Sequence, residues 1–227
     1  MTKALVLLSG GQDSTTCLYW ALRKTDGFTK VESISFDYGQ KHKIEIQKAE
    51  IIARKAGVEW TLLKAPEMYG TSPLVNQENI VGTYKSVEDL PEGIEPTFVP
   101  ARNILFLTMA ANFALSKDIY NIVTGVCQVD YGGYPDCRAG FISSMQKTLN
   151  IGIFGESSRI IIHTPLMYLT KKETVTLADE LYCIKALADT HTCYDGQSPP
   201  CGKCHSCLLR ARGFEEAGIE DPLMKGE

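Results

Sequence analysis

The sequence predicts an α/β protein built on a doubly wound, mostly parallel sheet. Three observations predict it. Short apolar runs alternate with amphipathic stretches at roughly thirty-residue spacing, the pattern of parallel strands joined by helical crossovers. The first apolar run, Ala4 to Leu8, ends in a loop of small residues, Ser9-Gly10-Gly11-Gln12-Asp13-Ser14. In an open α/β sheet that strand-to-helix position is where ligands bind. Beyond Asp189 the rhythm gives way to a Cys-, Pro- and Gly-rich tail, predicting a small appended metal-binding region. The division expected is a nucleotide-binding domain over 1–188 and a cysteine-rich region over 189–227.

The elements follow in order. Ala4 to Leu8 is a buried strand, and a helix is expected from about Thr15 to the stop at Asp26-Gly27. Val31 to Phe36 is the second strand. His42 to Ala56 has helical spacing, with Ile44, Ile51, Ile52 and Ala56 as its apolar stripe and Gly57 at its end. Glu59 to Leu63 is a third strand. Residues 65–100 carry five prolines and three glycines and are expected to be irregular, either a surface excursion or an active-site lid. Arg102 to Ser116 reads as helix, Ile119 to Thr124 as strand, Asp136 to Leu149 as helix and Ile160 to His163 as strand. Thr170-Lys171-Lys172-Glu173 has capping-box spacing and opens a helix reaching about Tyr182. Leu208 to Phe214 closes the chain as a short helix.

A formal net charge of −4 gives no whole-chain reason to expect nucleic acid or a membrane surface as a partner. The apolar runs are too short to span a bilayer, and Met1-Thr2-Lys3 lacks a signal-peptide pattern, so a cytoplasmic location is expected.

The phosphate loop can be read physically. Gly10 and Gly11 let the backbone approach an anion, Ser9 and Ser14 add hydroxyl donors, and the following helix turns its positive end to the site. Neither the Lys-[Ser/Thr] ending of a Walker A loop nor a dinucleotide fingerprint is present. Asp13 would repel phosphate in a bare cradle, and it makes sense as a Mg²⁺ holder or as an organiser of the loop. In this order the residues resemble the pyrophosphate loop of the N-type ATP pyrophosphatases. That resemblance implies an adenine-nucleotide α-hydrolase-like fold and attack at the α-phosphorus of ATP, releasing pyrophosphate from an adenylated substrate. It implies ATP contacts from Leu8, Ser9, Gly10, Gly11, Gln12, Asp13, Ser14, Thr15, Phe36 and Gly125.

Further segments narrow the resemblance. Phe36-Asp37-Tyr38-Gly39-Gln40, Pro100-Ala101-Arg102-Asn103 and Asp130-Tyr131-Gly132-Gly133-Tyr134-Pro135-Asp136-Cys137-Arg138 resemble the QueC family of 7-cyano-7-deazaguanine synthases. The likeness runs from residue 4 to about 214, with Gly132 a departure where Ser is expected. It implies conversion of 7-carboxy-7-deazaguanine and ammonia to the nitrile through adenylated carboxylate and amide intermediates, with Asp13, Ser14, Arg102 and Arg138 as the catalytic set, and a homodimer.

A deazaguanine offers a flat face for aromatic stacking and two adjacent N–H donors for a carboxylate. Asp130 or Asp136 can supply the carboxylate and Tyr131 and Tyr134 the rings, while Arg102 and Arg138 suit the reacting carboxylate. Asn103 completes the expected substrate set. Asp136 has a second reading as a helix cap, and Arg102 as the partner of a neighbouring carboxylate. Cys137 is not needed as a nucleophile, because an adenylate can be aminated directly. The rival function is a tRNA-modifying adenylating enzyme of the thiolase kind, which usually carries a basic RNA-binding region.

Cys193, Cys201, Cys204 and Cys207 have gaps that suit one tetrahedral ion. A ferredoxin-like run would place another cysteine where Ala211 stands. Four thiolates leave no open coordination position, which favours a structural ion, and the family resemblance implies zinc. Cys17, Cys127 and Cys183 read as packed thiols.

Overall fold

The computed structural model describes residues 2–23, 27–76, 78–129 and 133–224. Five strands among them form one parallel sheet: β1 (Lys3–Leu7), β2 (Lys30–Asp37), β3 (Glu59–Lys64), β4 (Asn121–Val123) and β5 (Ile161–His163), in the order β3-β2-β1-β4-β5. Every pairing is parallel, with Leu5 opposite Glu32 on one side and Ile122 on the other. The strand order reverses between β1 and β4, which opens a crevice beyond their carboxyl ends.

Side chains of β1 alternate between two cores, as the period of a strand requires. Leu5 packs with Ile34, Ile122 and Ile162 beneath α3 (Arg102–Leu115) and α4 (Ala139–Phe154), through Leu107, Ala111, Ile142 and Leu149. Ala4, Val6 and Leu8 pack on the other face against α1 (Gln12–Arg23) and α2 (Ile44–Ala56), through Cys17, Leu18, Ala49 and Ile52. Helices on both faces make the doubly wound architecture that the sequence predicts. Cys17, Cys127 and Cys183 are buried in these cores and in a third, where Val175, Leu187 and Phe214 join α5 (Lys171–Glu180) to α6 (His205–Ala217).

Boundaries moved where side chains bond the backbone. α1 begins at Gln12 rather than Thr15, because the turn at Gly10-Gly11 is tight and the Ser14 and Thr15 hydroxyls donate to the Gly11 carbonyl at 3.1 and 2.8 Å. α4 begins at Ala139, not Asp136. Pro135–Cys137 is a separate 3-10 turn, and Arg138 is extended between the two. α6 begins at His205, directly after Cys204, and is longer than the short closing helix expected. The Thr170 capping box forms, with Thr170 Oγ1 accepting from the Glu173 amide at 3.2 Å and Glu173 Oε2 accepting from the Thr170 amide at 2.8 Å. The stripe of α2 is rotated from expectation: Ala49, Ile52 and Ala53 are buried, and Ile44 and Ile51 only partly. The described residues of 65–100 hold one short 3-10 turn, Val87–Asp89. No helix among the described residues is long and apolar enough to cross a membrane.

Candidate active site

The crevice is a cavity of about 290 Å³, lined from the ends of β1, β2 and β4, from α3 and from the cysteine-rich segment. At its floor the phosphate loop is bound to itself. The Ser9 amide donates to Ser14 Oγ at 3.1 Å, the two serine hydroxyls lie 3.0 Å apart, and the Gly11 amide donates to Ser9 Oγ at 3.3 Å. The first-turn amides of α1 have no partner within the helix, so they present a positive end to the cavity. Gly10 must be glycine because α2 presses on it. Its φ is +88°, and a Cβ there would lie 2.2 Å from the Glu45 carbonyl oxygen. Gly125 is similarly confined, since a Cβ would lie 3.1 Å from the backbone at Asp13 and Ser14.

Asp13 is held from one side. Lys171 Nζ donates to Asp13 Oδ2 at 2.6 Å, while Asp13 Oδ1 is buried without a protein partner. A buried carboxylate oxygen beside a cradle of amides suits a hard cation carried in with a polyphosphate. Leu8, Ser9, Gly11, Gln12, Asp13, Ser14, Phe36 and Gly125 line the cavity together, whereas Gly10 and Thr15 serve the loop from behind.

The opposite wall is aromatic. Phe36 stacks on Phe106 with centroids 4.3 Å apart and planes at 11°, and Tyr38 meets Phe106 edge-on at 5.2 Å. Tyr134 and Tyr194 extend the wall, with Arg102 among them. Burial pushes the Tyr134 hydroxyl up to about 12 and raises Tyr38 and Tyr194 as well, so all three remain neutral donors. The Tyr134 hydroxyl lies 2.5 Å from Thr97 Oγ1, and Thr97 is bonded through both its amide and its hydroxyl to the buried carboxylate of Glu95. The 65–100 excursion therefore braces the wall. Glu45, from the first turn of α2, also lines it. Burial pushes its carboxyl up to about 7, with the Arg102 guanidinium pulling the other way.

Three expected substrate residues stand apart from this wall or are engaged within the protein. Asp136 is buried but outside the cavity lining, and its Oδ2 accepts the Asn103 amide at 3.3 Å. It caps the second position of α3, where Ala101 has no capping side chain. Asn103 lines the cavity, yet its side-chain amide donates to the Asp136 carbonyl at 3.2 Å. Arg138 is exposed, outside the lining, and donates to the Gly133 carbonyl at 3.4 Å. Its backbone is extended ahead of α4. Asp130 and Tyr131 lie outside the described residues.

The cysteine segment forms the third side. The His191 amide donates to the Gly10 carbonyl at 2.9 Å, strapping it to the phosphate loop. His191, Thr192, Cys193, Tyr194, His205 and Ser206 reach the same cavity. Burial lowers both imidazoles, holding them neutral. The Sγ atoms of Cys193, Cys201, Cys204 and Cys207 all lie within 4.8 Å of one another. Cys204 is driven toward thiolate by its bond to Cys207, whose own thiol is driven the opposite way. Four thiol sulfurs this close together could hold one metal ion. Val81 packs among them, and the Tyr84 amide donates to the Lys203 carbonyl at 2.8 Å.

A family model described as queuosine biosynthesis protein QueC matches residues 3–218. The chain belongs to the QueC family. This QueC-family enzyme is 50% identical to the 7-cyano-7-deazaguanine synthase of Chromobacterium violaceum, over 98% of this chain and 93% of that one. It is 49% identical to the 7-cyano-7-deazaguanine synthase of Gloeobacter violaceus, over 99% of this chain and 97% of that one. Among solved structures, the U34-tRNA thiolase NcsA from Methanococcus maripaludis with its [4Fe-4S] cluster shares the fold, with a TM-score of 0.51 and 17% identity over 99% of this chain and 67% of that one.

Lys171, Glu45 and Tyr194 line the cavity of the QueC-family site and are not among the residues the sequence singles out. For Lys171 a signal existed. A capping box fixes which side chain follows the cap, and here that side chain is Lys171.

Proposed function

We propose that this enzyme converts 7-carboxy-7-deazaguanine and ammonia to 7-cyano-7-deazaguanine in two ATP-dependent adenylations. The observation that carries the reading is a single cavity with a phosphate loop at one end and an aromatic wall with Arg102 at the other. A carboxylate or amide oxygen is a very poor leaving group, and adenylation replaces it with AMP. The loop amides and the Ser9 and Ser14 hydroxyls hold the β- and γ-phosphates, and Asp13 would hold Mg²⁺, which would supply charge neutralisation for the pyrophosphate leaving group. Lys171 orients Asp13 and adds positive charge. Phe36 and Gly125 bound the adenine end, and Arg102 faces the reacting carboxylate. Phe106, Tyr38 and Tyr134 stack on the deazaguanine.

The four cysteines hold zinc in this reading. Around one ion with metal–sulfur bonds of about 2.3 Å, tetrahedral sulfurs lie about 3.8 Å apart. Around a cube of four irons each sulfur has its own iron and the set spreads wider. The close spacing of these Sγ atoms supports a single ion. Residues 189–227 then act as a zinc-held appendix that completes the catalytic body, 1–188. A cytoplasmic homodimer acting on a small molecule, with no nucleic acid bound, completes the proposal.

The test is mass spectrometry of 7-carboxy-7-deazaguanine incubated with enzyme, ammonium and Mg-ATP. The nitrile should appear with two AMP and two pyrophosphate per product. Substrate recovered unchanged, or ATP cleaved to ADP and phosphate, would refute the reading.

A further inference from the structure

Among the described residues, two carboxylates line the cavity, Asp13 and Glu45. Asp13 belongs to the phosphate loop and pairs with Lys171. Glu45 has neither task. It stands where α2 presses its first turn against Gly10, so its side chain leaves the backbone beside the phosphate loop. The charged and titratable groups facing it come from three other elements: Arg102 at the start of α3, Tyr38 just after β2, and Tyr194 in the cysteine segment. His42 precedes it in the same wall, with a buried Nε2 that has no protein partner. His191 is already bonded through Nε2 to the Cys193 carbonyl, at 3.0 Å.

We propose that Glu45 is the proton acceptor of the amination chemistry, taking the proton that ammonia sheds as its nitrogen attacks the activated acyl carbon. The inference rests on the adenylation reading above. In the first round the ammonia lone pair forms the C–N bond. The C–O bond to AMP breaks, AMP leaves with the electron pair, and one N–H proton passes to Glu45. In the second round the amide oxygen is adenylated, pyrophosphate leaves, and one N–H proton of the amide passes to solvent. Its remaining N–H pair then completes the carbon–nitrogen triple bond as AMP departs, and that last proton passes to Glu45. After each transfer Glu45 returns its proton to solvent.

Position and environment agree on this role. A base must sit at the junction of nucleotide and acyl substrate, which the first turn of α2 reaches and the aromatic wall closes off. A carboxyl raised to about 7 by burial is a stronger base than an exposed glutamate, and it is partly ionised at neutral pH. Arg102 keeps enough of it ionised to accept a proton, and the neutral tyrosines add no competing charge.

The experiment is single-turnover rapid quench with 7-carboxy-7-deazaguanine and Mg-ATP, scoring pyrophosphate and amide separately. It is run across pH with free ammonia held constant, so that ammonium titration does not shape the profile. Below the Glu45 pKa the carboxyl is protonated and cannot accept, so wild-type amide formation should rise through pH about 7. Glu45→Gln should form amide on the order of 100-fold more slowly, without that rise, and should accumulate adenylate. Should Glu45→Gln fail to fold by its melting curve, Glu45→Asp keeps the carboxylate but withdraws it, and should show an intermediate amide rate with the pH rise retained. Wild-type amide rate and profile in Glu45→Gln would overturn the proposal. So would equal loss of pyrophosphate and amide, or a pH rise that disappears in His42→Asn instead. Wild-type enzyme that releases no pyrophosphate would mark failure of the adenylation reading itself, and this inference would fall with it.

Discussion

Lys171 Nζ lies 2.6 Å from Asp13 Oδ2, joining residues 158 positions apart across the mouth of the phosphate loop. Both side chains are largely shielded, at 13% and 27% exposure, so the pair is less screened than a surface ion pair. The capping box at Thr170 sets the start of α5 and with it the direction of Lys171. α6 presses on that turn from outside, where a Cβ on Gly213 would lie 2.8 Å from the Lys171 Cβ. The arrangement of Asp13 in the N-terminal loop thus depends on helices near the C-terminus.

Asp13→Ala should nearly abolish pyrophosphate release while the protein stays folded. Lys171→Met should lower kcat/KM for ATP on the order of 100-fold, because it removes the cation that holds Asp13 and the positive charge it adds beside the phosphate loop. Pyrophosphate release and thermal melting, measured together, separate these effects from unfolding. A Lys171→Met enzyme with normal ATP kinetics would reduce the pair to a structural tie.

The metal prediction couples content to stability and to ligand binding. Purified protein should be colourless and hold about one zinc per chain. Cys204→Ser should lower zinc content and melting temperature together, because metal binding is linked to folding. Since Cys193 and Tyr194 share the cavity wall, it should weaken nucleotide or substrate binding as well. Elemental analysis, melting curves and calorimetric binding read the three effects. Brown protein carrying iron would reverse the metal assignment.

The two loop glycines should respond differently to alanine. Gly10→Ala combines a left-handed φ with a 2.2 Å approach to the Glu45 carbonyl, so it should cost about 2–4 kcal/mol in urea denaturation. At Gly11 the nearest atoms to a Cβ are Ser9 Oγ at 3.4 Å and the His191 carbonyl at 3.5 Å, and φ is not left-handed. Gly11→Ala should change stability by less than about 1 kcal/mol and act instead on ATP affinity, since Gly11 lines the cavity. Equal destabilisation by both would mean that the loop tolerates no side chain at either position.

The strands, the helices and the phosphate loop were legible because each is written locally, in periodicity, turn residues and one capping box. The four cysteines were legible because their spacing is short. Lys171, Glu45 and Tyr194 were not. Each looks like an ordinary exposed residue of a helix or loop, and they meet only because the sheet order brings α2, α5 and the cysteine segment around the end of β1. Asp136 and Arg138 lie off the cavity lining for the opposite reason. Their motif is local, but a break between a 3-10 turn and α4 sends one side chain into α3 and the other to solvent.

Asp136 gives the sharpest separation between a structural and a recognition role. As the cap of α3 it supplies a carboxylate to the Asn103 amide, a bond that Ala101 cannot make. Losing such a cap costs about 1 kcal/mol. Asp136→Ala should therefore lower the melting temperature and leave binding of 7-carboxy-7-deazaguanine within a few-fold of wild type. A carboxylate that reads two N–H donors of the guanine edge behaves otherwise. Its loss costs a few kcal/mol of binding, a drop on the order of 100-fold, with little effect on the free protein. Asp130→Ala, measured beside it, is the control for that second pattern. If Asp136→Ala melts normally and loses substrate, its bond to Asn103 gives way in the complex and the capping role is wrong. If it melts early and binds normally, the guanine edge is read by another carboxylate, and Asp130→Ala shows whether that residue is the one.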